Sequence, residues 1–115
     1  MHDELPKPVK AVLRELAGKA HQKALTTALG ELDADFVAWR NGEITSFELA
    51  QRIHLFHQGP DRQIHLRYTR SVDIEFLVVQ SVREGLIDRS EIPADVMPYL
   101  ESAFALFRDA GEPTA

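Results

Sequence analysis

The chain has 115 residues, is 44% hydrophobic and 27% charged, and carries a formal net charge of −5. This length and composition indicate a single helical domain over residues 1–115, with short flexible ends at about 1–6 and 111–115. Cysteine is absent, which excludes disulfides, thiolate zinc ligands and cysteine nucleophiles. The net negative charge disfavours nucleic acid as the main partner, because phosphate attraction dominates that kind of binding.

The N-terminal decade lacks the apolar core of a signal peptide, and no apolar run approaches the length that crosses a bilayer. We therefore expect a cytoplasmic protein without a membrane association. Turn signals at Asn41-Gly42, Gly59-Pro60, Gly85 and Pro93 separate helical patterns, and no segment alternates as a strand does. The sequence predicts an all-α fold, a compact bundle of five to six helices.

The first helical pattern, from about Pro8 to Trp39, contains two apolar stripes that are out of phase. Since Gly18 lies between them, we expect a short helix and then a long one, with a single kinked helix as the alternative. Asn41-Gly42 is a typical helix stop. The first stripe is Val9, Leu13 and Leu16; the second is Leu25, Leu29, Leu32, Phe36 and Trp39, with 4-3-4-3 spacing.

Thr45 and Glu48 have the spacing of a capping box and predict a helix start at this point. This helix is expected to end at Gly59, because Pro60 cannot continue it. A short helix from Asp61 to about Thr69 should follow.

The segment Val72–Glu84 is the most apolar of the chain, and its hydrophobic positions cover most of the helix circumference. It predicts a central helix near residues 72–84, packed by others on several sides. The last helix is expected from about Asp95 to Asp109, with Pro98 tolerated in its first turn.

Three of the five histidines, His54, His57 and His65, lie between Thr45 and Arg70. On a helical wheel, His54 and His57 flank the apolar arc, which suggests that they point towards the protein body. His54, His57 and His65 could form a site for a divalent metal such as zinc together with Asp61, although the spacing matches no zinc signature. The alternatives are histidines with a structural role, bonded to Tyr68 or Thr69, and an acid–base site. No cofactor is required by any motif.

Residues 61–70 carry a local charge of +2, from Arg62, Arg67 and Arg70 against Asp61. These arginines are candidates for binding an anion such as phosphate or a carboxylate, with His65 as a further donor. A solvated helix face is the alternative meaning of this cluster.

Trp39, Phe36 and Phe47 surround the Asn41 turn, and such clusters usually belong to the core; an exposed patch for a protein partner is the alternative. No catalytic signature is recognisable, so whether the protein is an enzyme stays open, with a non-enzymatic role favoured. The preferred function is a protein–protein interaction or regulatory module. Self-association as a homodimer would use the stripe from Leu25 to Trp39 as its seam. The alternative is a metal or anion site at His54, His57 and His65 that supports hydrolysis.

Overall fold

The computed structural model describes residues 5–70 and 73–109, with side chains as far as residue 107. Every regular element in these ranges is helical and none is a strand, which confirms the all-α class. The α-helices are α1 (Lys7–Arg40), α2 (Ser46–Phe56), α3 (Arg62–Arg70), α4 (Ile74–Arg83) and α5 (Glu101–Asp109). No helix in these ranges is both long and apolar enough to cross a bilayer.

A single helix, α1, replaces the two that the sequence predicted on either side of Gly18. The helix runs through Gly18 because one glycine costs only about 1 kcal/mol of helix propensity, which its helix-forming neighbours offset. The two apolar stripes of the helix lie in different structural units. The helix ends as predicted, with Gly42 at a φ of 77° and the backbone N–H of Glu43 bonded to the carbonyl of Ala38 at 2.8 Å.

The capping box at the start of α2 is confirmed. The Thr45 side chain accepts a hydrogen bond from the backbone N–H of Glu48 at 3.1 Å, and the Glu48 carboxylate accepts one from the N–H of Thr45 at 2.8 Å. The predicted helix end at Gly59 is wrong. A π-helical segment, His57–Asp61, joins α2 to α3 without interruption. The wider π turn accommodates Pro60, whose ring would clash with the carbonyl four residues earlier in a regular α-helix.

The predicted apolar helix near residues 72–84 is present as α4, although Val72 lies outside the described residues. Asp73 caps it by accepting a hydrogen bond from the N–H of Phe76 at 3.0 Å. Its buried side chains are Leu77, Val78, Val79, Glu75 and Ser81.

The last helix begins later than the predicted Asp95. A short 3-10 turn, Met97–Leu100, with Pro98 in its first positions leads directly into α5. A second 3-10 turn, Arg89–Glu91, follows α4 in the chain, and its Glu91 pairs with Lys19 of α1. The continuous helices in the described ranges therefore number four, and the prediction of five to six is not confirmed, because α1 is unbroken and α2 and α3 are joined.

The described part of the chain divides into two structural units, one of residues 5–20 with 73–109 and the other of residues 21–70. Among the described residues, fifteen of the seventeen buried apolar residues belong to the first unit, and only Ala28 and Leu49 belong to the second. A single compact bundle is not confirmed, and the single domain over 1–115 stays a prediction. Of the ends predicted to be flexible, residues 1–4 and 111–115 lie outside the described part, whereas Leu5 is buried.

Candidate functional site

The second unit is a helical hairpin made of the second half of α1 and the continuous α2–α3 helix. Three cross-helix contacts pair residues whose numbers rise along one helix and fall along the other, so the two helices are antiparallel. They are a Trp39 Nε1 to Ser46 Oγ hydrogen bond of 3.1 Å, an Arg52 to Asp35 ion pair of 2.6 Å, and stacked rings of His21 and Tyr68 with centroids 4.6 Å apart.

The three candidate histidines of this hairpin, His54, His57 and His65, are all exposed. The expectation that His54 and His57 point towards the protein body is wrong. Leu49 is buried and Arg52 pairs with Asp35 on α1, so α2 turns these positions towards α1. At roughly 100° per residue, Arg52 lies about 60° from Leu49 in one direction around the helix. His57 and His54 lie about 80° and 140° from Leu49 in the opposite direction, away from Arg52.

The predicted metal ligands are brought together only in part. Nδ1 of His57 lies 3.3 Å from Oδ2 of Asp61, one helical turn away, and 79% of the His57 side chain is exposed. No group of three or more His, Asp or Glu side chains in the described ranges is arranged to hold a metal ion. The metal site of His54, His57, His65 and Asp61 therefore stays a prediction.

Most of the predicted anion ligands line one surface depression. Arg62 and Arg70 lie in its wall together with His57 and His65, whereas Arg67 does not. Asp61 lies in the same wall and reduces the positive charge there. The arrangement offers donors for an anion from four positions on one continuous helix.

His21 and Tyr68 form a contact that the sequence analysis missed. Their rings stack almost in parallel, at 5° between planes, across the hairpin. The Tyr68 hydroxyl is buried and has no hydrogen-bond partner among the described residues. The proposed bond between Thr69 and a histidine involves the backbone, since the Thr69 hydroxyl donates to the carbonyl of His65 at 2.7 Å. Only the aromatic character of both residues signalled the pair, because 47 positions separate them.

A groove of about 230 Å³ opens along one side of the hairpin. Glu31 and Asp35 line it from α1, and Arg52 and Leu55 line it from α2. The residues that line the groove identify the side chains of each helix that lie on this side of the hairpin. Of the stripe that the sequence proposed as a seam, Leu32 lines this groove.

The aromatic cluster at the tip of the hairpin is largely open to solvent. Phe36 and Trp39 make an edge-on contact with centroids 6.5 Å apart, but 40% of Trp39 and 89% of Phe47 are exposed. The expectation that these residues form core is wrong for Phe47, because no other helix of the hairpin covers the first turn of α2 on that side. The structure thus favours the alternative, an exposed aromatic patch.

Comparisons with known proteins give this chain no relatives: no family model matches it, and neither does a curated protein or a solved structure.

Proposed function

We propose that this chain is a small cytoplasmic, non-enzymatic module for protein–protein interaction or regulation, and that the helical hairpin is its binding surface. The observation that carries the proposal is the apolar surface of the hairpin. Of the nine large apolar side chains that are exposed in the described ranges, six belong to the hairpin. They are Leu29, Val37, Trp39, Phe47, Ile53 and Leu55.

Two helices alone cannot cover the apolar sides of each other, so an isolated hairpin gains stability from a further layer. Full burial of one leucine or phenylalanine side chain is worth about 1.5–3 kcal/mol. A partner that covered Leu29 and Phe47 would recover part of that free energy at each position. The other unit has its own core, so its folding does not require the exposed apolar side chains of the hairpin.

A photo-crosslinking amino acid at position 29 tests the proposal in cells that produce the full chain. We expect adducts with protein at this position, because Leu29 is 51% exposed on an apolar surface. The same amino acid at Ala34 is the control, since this exposed small residue lies about 140° away on α1. Absence of adducts at position 29, or equal amounts at both positions, would contradict the proposal.

The second candidate function is a metal or anion site that supports hydrolysis. It is favoured by the depression that gathers His57, His65, Arg62 and Arg70. Here a divalent metal such as zinc would be held by the histidines with Asp61, or an anion by the arginines. Thermal-shift titrations with zinc and with inorganic phosphate distinguish the metal site from the anion site.

Binding to the folded chain alone raises the melting temperature. We expect His57→Ala to remove a zinc shift, and Arg62→Ala with Arg70→Ala to remove a phosphate shift. Arg14→Ala is the control for charge, because it lies outside the depression. Titrations without any shift would exclude this candidate.

A further inference from the structure

We propose that the partner of the hairpin is a second copy of this chain, and that the two hairpins pack through one apolar face into a four-helix bundle. The inference rests on the proposed function and names its partner. The apolar face consists of Leu25, Leu29 and Phe36 on α1 and Ile53 on α2. It lies on the side of the hairpin away from the groove.

The groove identifies the two sides of the hairpin. Glu31 and Leu55 line it. Residues two positions apart on a helix point about 160° away from each other. Leu29 therefore lies across α1 from Glu31, and Ile53 lies across α2 from Leu55, so both belong to the other side.

Phe36 and Leu25 extend the same face along α1. Phe36 is seven residues after Leu29 and only about 20° from it on the wheel, and Leu25 is about 40° away. Leu29 is 51% and Ile53 is 40% exposed, and Leu25 and Phe36 are half-buried. The face is thus apolar over several turns and partly open along its length.

The pattern on α1 suits an identical partner. Leu25, Leu29 and Phe36 follow one another at intervals of four and seven residues, which keep side chains on one helix face as in a helix–helix seam. A two-fold axis would place the same patch on both sides of the interface, which is how most homodimers are built. Two helices from each copy give the four needed to enclose a core of this kind.

Charge at the edge of the face also permits self-association. The chain as a whole carries −5, which opposes contact between copies. At the edge next to Leu29 and Phe36, however, the wheel places Asp33 and Arg40, which are exposed and opposite in charge. Two copies of this patch therefore meet without net like-charge repulsion.

The area is sufficient for a specific contact. Over His21–Arg40, roughly 20 residues long, the hairpin extends about 30 Å, and two helices side by side are about 20 Å wide. This side of the hairpin measures on the order of 600 Å², so that two copies in contact over its whole length would bury about 1,200 Å², the lower limit for stable interfaces.

Sedimentation velocity of the full chain at increasing concentration tests the proposal. We expect a species of twice the 13.0 kDa chain mass. Leu29→Glu should raise the dissociation constant of this dimer at least about tenfold, because it places a charge in the apolar face. Leu106→Glu is a matched control: it changes the same residue type at 59% exposure outside the hairpin, and should leave the dimer intact.

A monomer at all concentrations would overturn the proposal, as would a dimer that Leu106→Glu breaks and Leu29→Glu does not. If Leu29→Glu loses helicity in its circular dichroism spectrum, a spin label decides instead. The chain has no cysteine, so Thr26→Cys gives a single labelling site at the edge of the face. Dipolar coupling between labels should appear and should vanish when unlabelled chain is added in excess; absence of coupling counts against the dimer.

The experiments distinguish failure of the homodimer from failure of the proposed interaction function. A chain that is monomeric by sedimentation but forms adducts with a different protein through position 29 would overturn the second copy and keep the interaction module. No adducts at position 29 would overturn both. Adducts of twice the chain mass would support both.

Discussion

At the scale of single residues, two carboxylates hold helix starts in the same way. Glu48 accepts the backbone N–H of Thr45 at 2.8 Å, and Glu91 accepts that of Asp88 at 2.8 Å. These hydrogen bonds lower the pKa of both glutamates below 4.5, and Lys19 reinforces the effect at Glu91. Because hydrogen bonds to the charged form favour ionisation, both starts depend on pH.

Removing the hydroxyl at Thr45 tests the cap of α2. We expect Thr45→Ala to lower the free energy of unfolding by about 1 kcal/mol, since the N–H of Glu48 then loses its acceptor. Urea denaturation followed by circular dichroism measures the change. Thr27→Ala, an exposed position inside α1, should be neutral or slightly stabilising; an equal loss at both sites would refute the role of the cap.

The carboxylate of Glu48 should make part of the stability depend on pH. Its pKa in the folded chain is below 4.5, so its contribution is present above pH 4.5 and is lost as the pH falls through the folded value. Glu48→Gln should therefore be less stable than the original chain at pH 7, with a difference that shrinks towards pH 3. Denaturation curves at both pH values provide the comparison. A difference that does not change with pH would show that the charge plays no part.

At the scale of elements, one glycine lies inside a continuous helix and another follows the end of that helix. Both Gly18 and Gly42 interrupt the sequence pattern, but only Gly42 has a positive φ, at 77°. Gly18 lies inside α1 in ordinary helical backbone, and an added Cβ would meet nothing within 4 Å. The two positions should therefore respond to alanine in opposite directions.

Gly18→Ala should raise the free energy of unfolding by about 1 kcal/mol, because alanine is the better helix former and has room. Gly42→Ala should lower it by about 1 kcal/mol, because an L side chain is strained in the left-handed region. Thermal denaturation of the two variants side by side is sufficient. A destabilising Gly18→Ala would revive the two-helix interpretation of this segment.

At the scale of the whole molecule, the two units differ in how many apolar side chains they bury and how many they expose. The first unit holds most of the buried apolar residues, among them Leu13, Val78 and Leu100 with no exposed surface. The hairpin holds most of the large exposed ones. Substitutions of core residues in the first unit should thus act on unfolding, and those on the hairpin face should act on association.

Leu100→Ala should lower the free energy of unfolding by about 2–5 kcal/mol, because it opens a cavity in a packed core. Leu106→Ala is the matched control in the same region, since Leu106 is 59% exposed, and should change stability by at most about 0.5 kcal/mol. Guanidinium denaturation of both variants measures the difference. Equal effects would mean that Leu100 is not a core position.

The sequence by itself determined the features that depend on neighbours along the chain. The helical class, the capping box of Thr45 and Glu48 and the stop at Gly42 follow from local hydrogen bonding and backbone preference. The apolar helix α4 follows from a pattern within one segment. For the site, the sequence also identified the stripe from Leu25 to Trp39 and the cluster of Arg62 and Arg70.

Only the tertiary structure decided which apolar face meets another helix. The sequence pattern provides α2 with a wide apolar arc. In the structure Leu49 is buried and Arg52 contacts Asp35 on α1, while His54 and His57 are exposed to solvent. The continuation through Pro60 likewise depends on a π turn that no local preference predicts. The hairpin also contains contacts between residues far apart in the chain, such as His21 with Tyr68, whose free energy no periodicity along one helix records.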